Sequence, residues 1–131
     1  MPHKKSVLTF ALSLVALASV SAADDLKFGV RTGFYEFSRR AGDFALAMTA
    51  VALRREGKRI AEARIGIGGV EDRPSRCAAA EALLMQGRSA QDAAQAVAQA
   101  VKPMADIHAD APYRKDLVSA TTLRALEQAL A

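Results

Sequence analysis

From Phe44 to Leu53 the chain is apolar at every position except Thr49. Such a run fits a buried strand or a buried helix equally well, and its alanines favour helix by propensity. Beyond the polar turn "RREGKR" the rhythm changes: Ala61, Ala63, Ile65 and Ile67 alternate with Glu62, Arg64, Gly66 and Gly68. Period-two alternation describes a strand with one buried face, so the two segments together read as a β-hairpin with unequal faces. Upstream, the aromatics of Phe34–Phe37 read as another strand, closed by a turn at Arg39-Arg40-Ala41-Gly42-Asp43, whose glycine and aspartate suit turn backbone angles. The pattern therefore predicts three antiparallel strands, over Phe34–Phe37, Phe44–Arg54 and Arg59–Val70.

The second half is helical in character. Pro74-Ser75 precedes an alanine-rich run that ends at Gly87, where glycine can close a helix in the left-handed conformation. Ser89 opens the next helix with Asp92 three residues on, the spacing of a capping box. Ala93, Val97, Ala100 and Val101 share one face of it, and Pro103 stops it. A third helix runs from Pro112, a favoured first-turn proline, to Leu130, with Leu123, Leu126 and Leu130 on one stripe. The expected fold is α+β, a three-stranded antiparallel sheet followed by three helices packed on one face.

The start of the chain follows another logic. "MPHKK" is cationic, Val7 to Val20 is an apolar run, and small residues at Val20-Ser21-Ala22 precede Ala23-Asp24-Asp25. This is the layout of a secretory signal peptide over residues 1–23, with cleavage after Ala22 or Ala23. The run is short of the ~20 apolar residues that span a bilayer, so membrane attachment is expected only if the leader stays uncleaved. Residues 24–32 read as a short linker and 33–131 as the domain. A functional leader places the protein in the periplasm or outside the cell, and a non-functional one leaves it in the cytoplasm.

With 51% hydrophobic and 24% charged residues in a chain of 131, the composition is that of one globular domain. The formal charge of +4 overstates its basicity, because Lys4 and Lys5 of the leader carry half of it. Arg39-Arg40 and Arg54-Arg55 are isolated pairs, and no stretch has the cationic density or the interleaved aromatics of a nucleic-acid surface, so no nucleic-acid role is expected. The lone Cys77 excludes an internal disulfide and any multi-cysteine metal site; on the first turn of a helix it is a small packing residue or, conceivably, a reactive thiol. His108 stands between Asp106 and Asp110, but the spacing matches no established metal motif, and no metal site is expected.

No set of residues carries catalysis. A nucleophile–histidine–acid arrangement would have to use His108, and no Gly-x-Ser-x-Gly elbow presents a serine to it. "GIGGV" lacks the lysine and serine or threonine, or the following helix start, of a phosphate-cradling loop; its glycines end a strand and read as close-packing positions.

Three separated segments, in order, resemble a known family. They are "FYEFSRRAGDFALAMTAVAL", "IAEARIGIGGVEDRPSRCAAAEALLMQGR" and "DIHADAPYRKDLVSATTLRALEQAL". Together they look like the C-terminal domain of the FAD-binding medium subunit of molybdenum hydroxylases, the family of aerobic carbon monoxide dehydrogenase and xanthine dehydrogenase. The resemblance implies a three-stranded antiparallel sheet with helices. It also implies an oxidoreductase flavoprotein in which FAD lies mainly between two preceding domains, with molybdopterin and iron–sulfur subunits or a separate FAD-binding chain as partners. Phe34 and Tyr35 fall where such a domain approaches the isoalloxazine ring, and aromatic side chains can stack on or hydrogen-bond to a flavin. Asp43 reads as a turn residue, and Tyr113 and Arg114 as packing and a surface ion pair. The resemblance implies a domain with no catalysis of its own, acting in electron transfer only when other chains complete it. The contrasting expectation is an exported α+β binding or structural module that has lost flavin.

Overall fold

The computed structural model describes residues 29–131, so the expected leader over 1–23 and most of the expected linker lie outside the described residues. The order of elements is β1 (Val30–Ser38), β2 (Ala45–Glu56), β3 (Arg59–Gly68), β4 (Ser75–Arg76), α1 (Ala78–Met85), α2 (Ala90–Ala100) and α3 (Ala111–Leu130). The class is α+β as expected. The sheet, however, is antiparallel with four strands in the order β1-β2-β3-β4, not three. The fourth is two residues long, pairing Arg76 with Gly66 and Ser75 with Ile67. It is too short to show any period, and the sequence placed Pro74-Ser75 at a helix entrance. The first strand also reaches back to Val30, into the stretch read as linker.

Register explains why β2 was ambiguous. Gly33, Val51 and Ile65 lie side by side across the sheet, as do Tyr35, Thr49 and Ile67, and directly opposed residues share a face. That face carries Ala47, Val51, Leu53, Ala63, Ile65 and Ile67 into the core against Leu84, Val97, Val118 and Leu126 of the three helices. The opposite face of β2 presents Met48, Ala50 and Ala52, which are apolar too, so no alternation is visible in the sequence.

Helix α3 lies across β1 and β2 at close range. Gly33 is what admits it: a Cβ there would overlap the carbonyl oxygen of Ala125. The same approach lets Gln128 Oε1 accept the outward-facing N–H of Phe34 at 2.9 Å, occupying a backbone donor of an edge strand. Thr49, Thr121 and Thr122 meet in the buried seam, with Thr49 Oγ1 3.1 Å from each of the other hydroxyls. Thr121 donates its proton to the carbonyl of Val118 at 3.2 Å. Each hydroxyl has one proton, so Thr49 donates to Thr121 and Thr122 donates to Thr49, and none of the three is left unpaired.

The helix signals behave as their chemistry requires. Ser89 Oγ accepts from the N–H of Asp92 at 3.1 Å, and the Asp92 carboxylate reaches back to the N–H of Ser89, completing the capping box. Gly87 has φ +81°, and the Arg88 N–H bonds back to the Leu83 carbonyl at 2.9 Å, closing α1.

Replacing Gly33 by alanine is expected to push α3 off the sheet and cost about 3 kcal/mol, the upper range for overpacking a close-packed site. Gly66→Ala, whose Cβ would meet only the Ala50 oxygen at 3.9 Å, serves as the control. Urea unfolding of the two variants checks this, and equal stabilities would contradict the close-approach account.

Candidate functional site

The two residues expected to meet a flavin, Phe34 and Tyr35, are adjacent in β1, so their side chains leave opposite faces of the sheet. Tyr35 projects to the helical side, where the Arg124 guanidinium of α3 sits 5.8 Å from its ring centroid. Phe34 projects to the helix-free side, in a row with Ala50 and Gly66, and is 51% exposed. The structure thus separates this pair: one planar ligand placed on either face meets only one of them.

The turn that follows is built by its own short-range bonds. The Asp43 N–H donates to the Arg40 carbonyl at 3.1 Å, Asp43 Oδ1 accepts the Phe44 N–H at 3.0 Å, and Gly42 takes φ +81°. Asp43 is therefore a turn residue, as expected. Arg39 Nη1 lies 2.6 Å from Nδ1 of His108 in the α2–α3 loop. A guanidinium only donates, so Nδ1 is the acceptor in this contact.

His108 gathers no metal set. Asp106 Oδ1 is occupied by the backbone N–H groups of His108 (2.8 Å) and Ala109 (3.0 Å), and Asp110 Oδ1 caps α3 through the Tyr113 N–H at 2.8 Å. Among the described residues no group of three His, Cys, Asp or Glu side chains could hold an ion. Those backbone bonds, first that from His108 and then that from Ala109, hold the Asp106 carboxyl below the usual carboxylate range, with a smaller contribution from Arg114.

Arg114 departs from expectation. Read as half of a surface ion pair, it is 2% exposed. Its Nη1 donates to the carbonyls of Leu46 (3.0 Å) and Gly69 (2.9 Å), and its Nη2 to Asp106 Oδ2 (2.7 Å). One guanidinium thus joins the start of β2, the end of β3 and the α2–α3 loop. A usable signal was present: Arg114 stands four residues before Val118 on the stripe that continues through Thr121, Thr122, Ala125 and Ala129. A second buried charge, Glu81 of α1, accepts the Ile65 N–H at 3.0 Å and a bidentate pair from Arg76 at 3.0 and 2.7 Å, fastening the helix to β3 and β4. Both residues hold the fold and touch no open site.

Cys77 is buried at the N-cap of α1. It lines a cleft of about 310 Å³ with Ser75, Arg76, Glu71 and Lys102, where no imidazole stands by to activate a thiol. No helix among the described residues is long and apolar enough to cross a membrane.

Comparison with known proteins places this geometry. Residues 32–129 match the family described as the CO dehydrogenase flavoprotein C-terminal domain. The nicotine 6-hydroxylase medium subunit of Paenarthrobacter nicotinovorans is 36% identical over 101 residues, covering 74% of this chain and 36% of that protein. The glyceraldehyde dehydrogenase medium chain of Sulfolobus acidocaldarius is 30% identical over 104 residues, covering 76% and 37%. Among solved structures, the carbon monoxide dehydrogenase of Hydrogenophaga pseudoflava that lacks the Mo-pyranopterin moiety superposes with a TM-score of 0.73 at 30% identity, over 77% of this chain and 37% of that one. The chain thus spans little more than a third of the length of each of these relatives.

Two outcomes follow from the site's geometry. Arg114→Met leaves the Leu46 and Gly69 carbonyls without their donor and is expected to cost about 2–3 kcal/mol in chemical denaturation. Arg114→Lys should fail to restore it, since a single ammonium cannot reproduce the fork. Asp106, with its carboxyl depressed, contributes stability at neutral pH that is lost as pH falls through its folded value, where protonation removes the charge that strengthens its bonds to the two amides and to Arg114. Hydrogen-exchange protection of the His108 and Ala109 amides, taken relative to intrinsic exchange at each pH, should fall on acidification in the wild type, whereas in Asp106→Ala it should be low already at neutral pH. Slow, pH-independent protection in the variant would refute this role.

Proposed function

Because the chain belongs to the CO dehydrogenase flavoprotein C-terminal domain family, we propose that it serves as the C-terminal part of a FAD-binding medium subunit of a molybdenum hydroxylase, completed by a flavin-carrying part and by molybdopterin and iron–sulfur partners. The observation that carries this reading is that the match, from within β1 to one residue short of the end of α3, takes in every strand and helix but for their outermost residues. FAD, when bound, carries electrons from iron–sulfur clusters to an acceptor, and this chain's part in that is to bound the cofactor.

The residues present fit one portion of FAD and not another. Phe34, half-exposed beside Ala50 and Gly66, offers an apolar wall of low relief against which a planar ring can lie, displacing water as it does so. Tyr35 already receives a guanidinium on its ring, so of the two it is the weaker contact. The pyrophosphate finds no cradle, because Gly66, Gly68 and Gly69 close β3 and lead into a bend rather than into a helix start. That half of the cofactor belongs to another part of the assembly, and in this reading the isolated chain catalyses nothing.

The test mixes the full chain with FAD and the Hydrogenophaga carbon monoxide dehydrogenase chain shortened by the 37% that matches. Flavin absorbance should co-purify with this chain. Phe34→Ala should weaken flavin retention about tenfold, the loss of one stacking contact of ~1.4 kcal/mol, and Tyr35→Ala less. A colourless chain in that mixture would refute the proposal.

A further inference from the structure

We infer that the helix-free face of the sheet is the surface on which this domain meets the flavin-carrying part of its assembly; the inference rests on the function proposed above and names the surface that function uses. All three helices pack on the face that carries Thr49, Val51, Leu53, Ile65 and Ile67. Among the described residues no element covers the other face, which is made of three rows: Thr32–Ala52–Arg64, Phe34–Ala50–Gly66 and Glu36–Met48–Gly68. An antiparallel sheet with one wet face ordinarily alternates, apolar inward and polar outward. Here the outward positions of β2 are Met48, Ala50 and Ala52, and β3 adds bare backbone at Gly66, while Gly68 lies under the Met48 side chain. Charge is confined to the margins, in Glu36, Arg64, the Arg54–Glu62 pair and Arg76, the edge-strand partner of Gly66. An apolar centre with a charged rim is the anatomy of an interface.

Gly66 is the sharper observation. Every other glycine of the described chain either has a positive φ or lies so close to a neighbour that a Cβ would collide; at Gly68 the neighbour is Met48, at 2.9 Å. Gly66 has neither: its φ is ordinary, and a Cβ would meet nothing nearer than the Ala50 oxygen at 3.9 Å. Glycine in a strand interior weakens the strand, and its use there marks close approach of another backbone or a ligand. Nothing in the described fold makes that approach. It comes from outside, over the centre of the face and next to the half-exposed Phe34.

The occupant follows from how the family's domain is joined to the rest of its subunit. The family match begins at residue 32, inside β1, and the matched relatives are nearly three times longer than the stretch they share. In a C-terminal domain the remainder of the subunit arrives at the N-terminal end of β1. Phe34 lies about 7 Å along the strand from residue 32, at ~3.3 Å per residue. The incoming part therefore arrives at the edge strand that bears Phe34, and of the two faces this strand borders only the one with Phe34 is free of helices among the described residues.

The experiment uses the same shortened Hydrogenophaga chain with FAD, against the full chain carrying Gly66→Arg or Ala50→Arg. Both side chains would point outward, so thermal unfolding of Ala50→Arg alone should match wild type, and Gly66→Arg, opposite Arg76, should stay folded with a loss of no more than about 1 kcal/mol. Each should weaken co-purification at least tenfold, while Gln95→Arg on the exposed side of α2 should not. Complexes of undiminished strength with Gly66→Arg and Ala50→Arg would overturn the assignment of the face while leaving the proposed function standing. Failure of the wild-type chain to hold the flavin-carrying chain would overturn both. A wild-type chain that sediments as a dimer, broken by Gly66→Arg, would give the face to a second copy and also overturn the inference.

Discussion

The seating of α3 on the first two strands is the constraint on which the rest of this domain depends. Gly33 lets the helix backbone reach the edge strand, and the Ala125 carbonyl occupies the space a side chain would need. Once there, the helix brings Gln128 to the free N–H of Phe34 and closes the threonine chain over Thr49. At its other end Arg114 draws two strand carbonyls and the α2–α3 loop together. Close approach, edge protection and buried polar satisfaction thus have one cause. β1 is held as a straight edge, with Tyr35 turned toward the helix and Phe34 turned away from it.

This arrangement shows where the domain's buried arginine and carboxylate groups are used. Its well-made polar contacts, Arg114 with Asp106 and Arg76 with Glu81, are spent on fastening helices to strand ends. A guanidinium whose donors are aimed at backbone carbonyls has little left for a substrate. The helix-free sheet face carries small residues and one half-exposed aromatic, Phe34, and it is there that the proposed contact with a flavin-carrying part is made. Membership in a flavoprotein family is consistent with that division, in which this part bounds a cofactor held mainly elsewhere.

Short-range signals were legible in the sequence because their chemistry is local. The Ser89–Asp92 capping box, the Gly87 stop, the Asp43 turn and the alternation from Ala61 to Gly68 each need only a few consecutive residues, and each forms as the pattern predicts. β2 was assigned only through the strand beside it, because a segment apolar on both faces carries no period of its own. β4, two residues held by pairing to Gly66 and Ile67, is defined by its partner and is invisible without it.

The sequence by itself determined the α+β class, the three helices with the Ser89 capping box and the Gly87 stop, and the three motifs that mark the family, since these depend on spacing and composition. Only the tertiary structure decided that Phe34 and Tyr35 serve opposite faces in unequal surroundings, that Arg114 is buried rather than at the surface, and that Gly66 has no internal reason to be glycine. The physical reason is the same in each case. Burial and face are properties of what packs against a residue, and the partners here, Ala125, Arg124, Leu46 and Gly69, lie from 45 to more than 90 positions away along the chain.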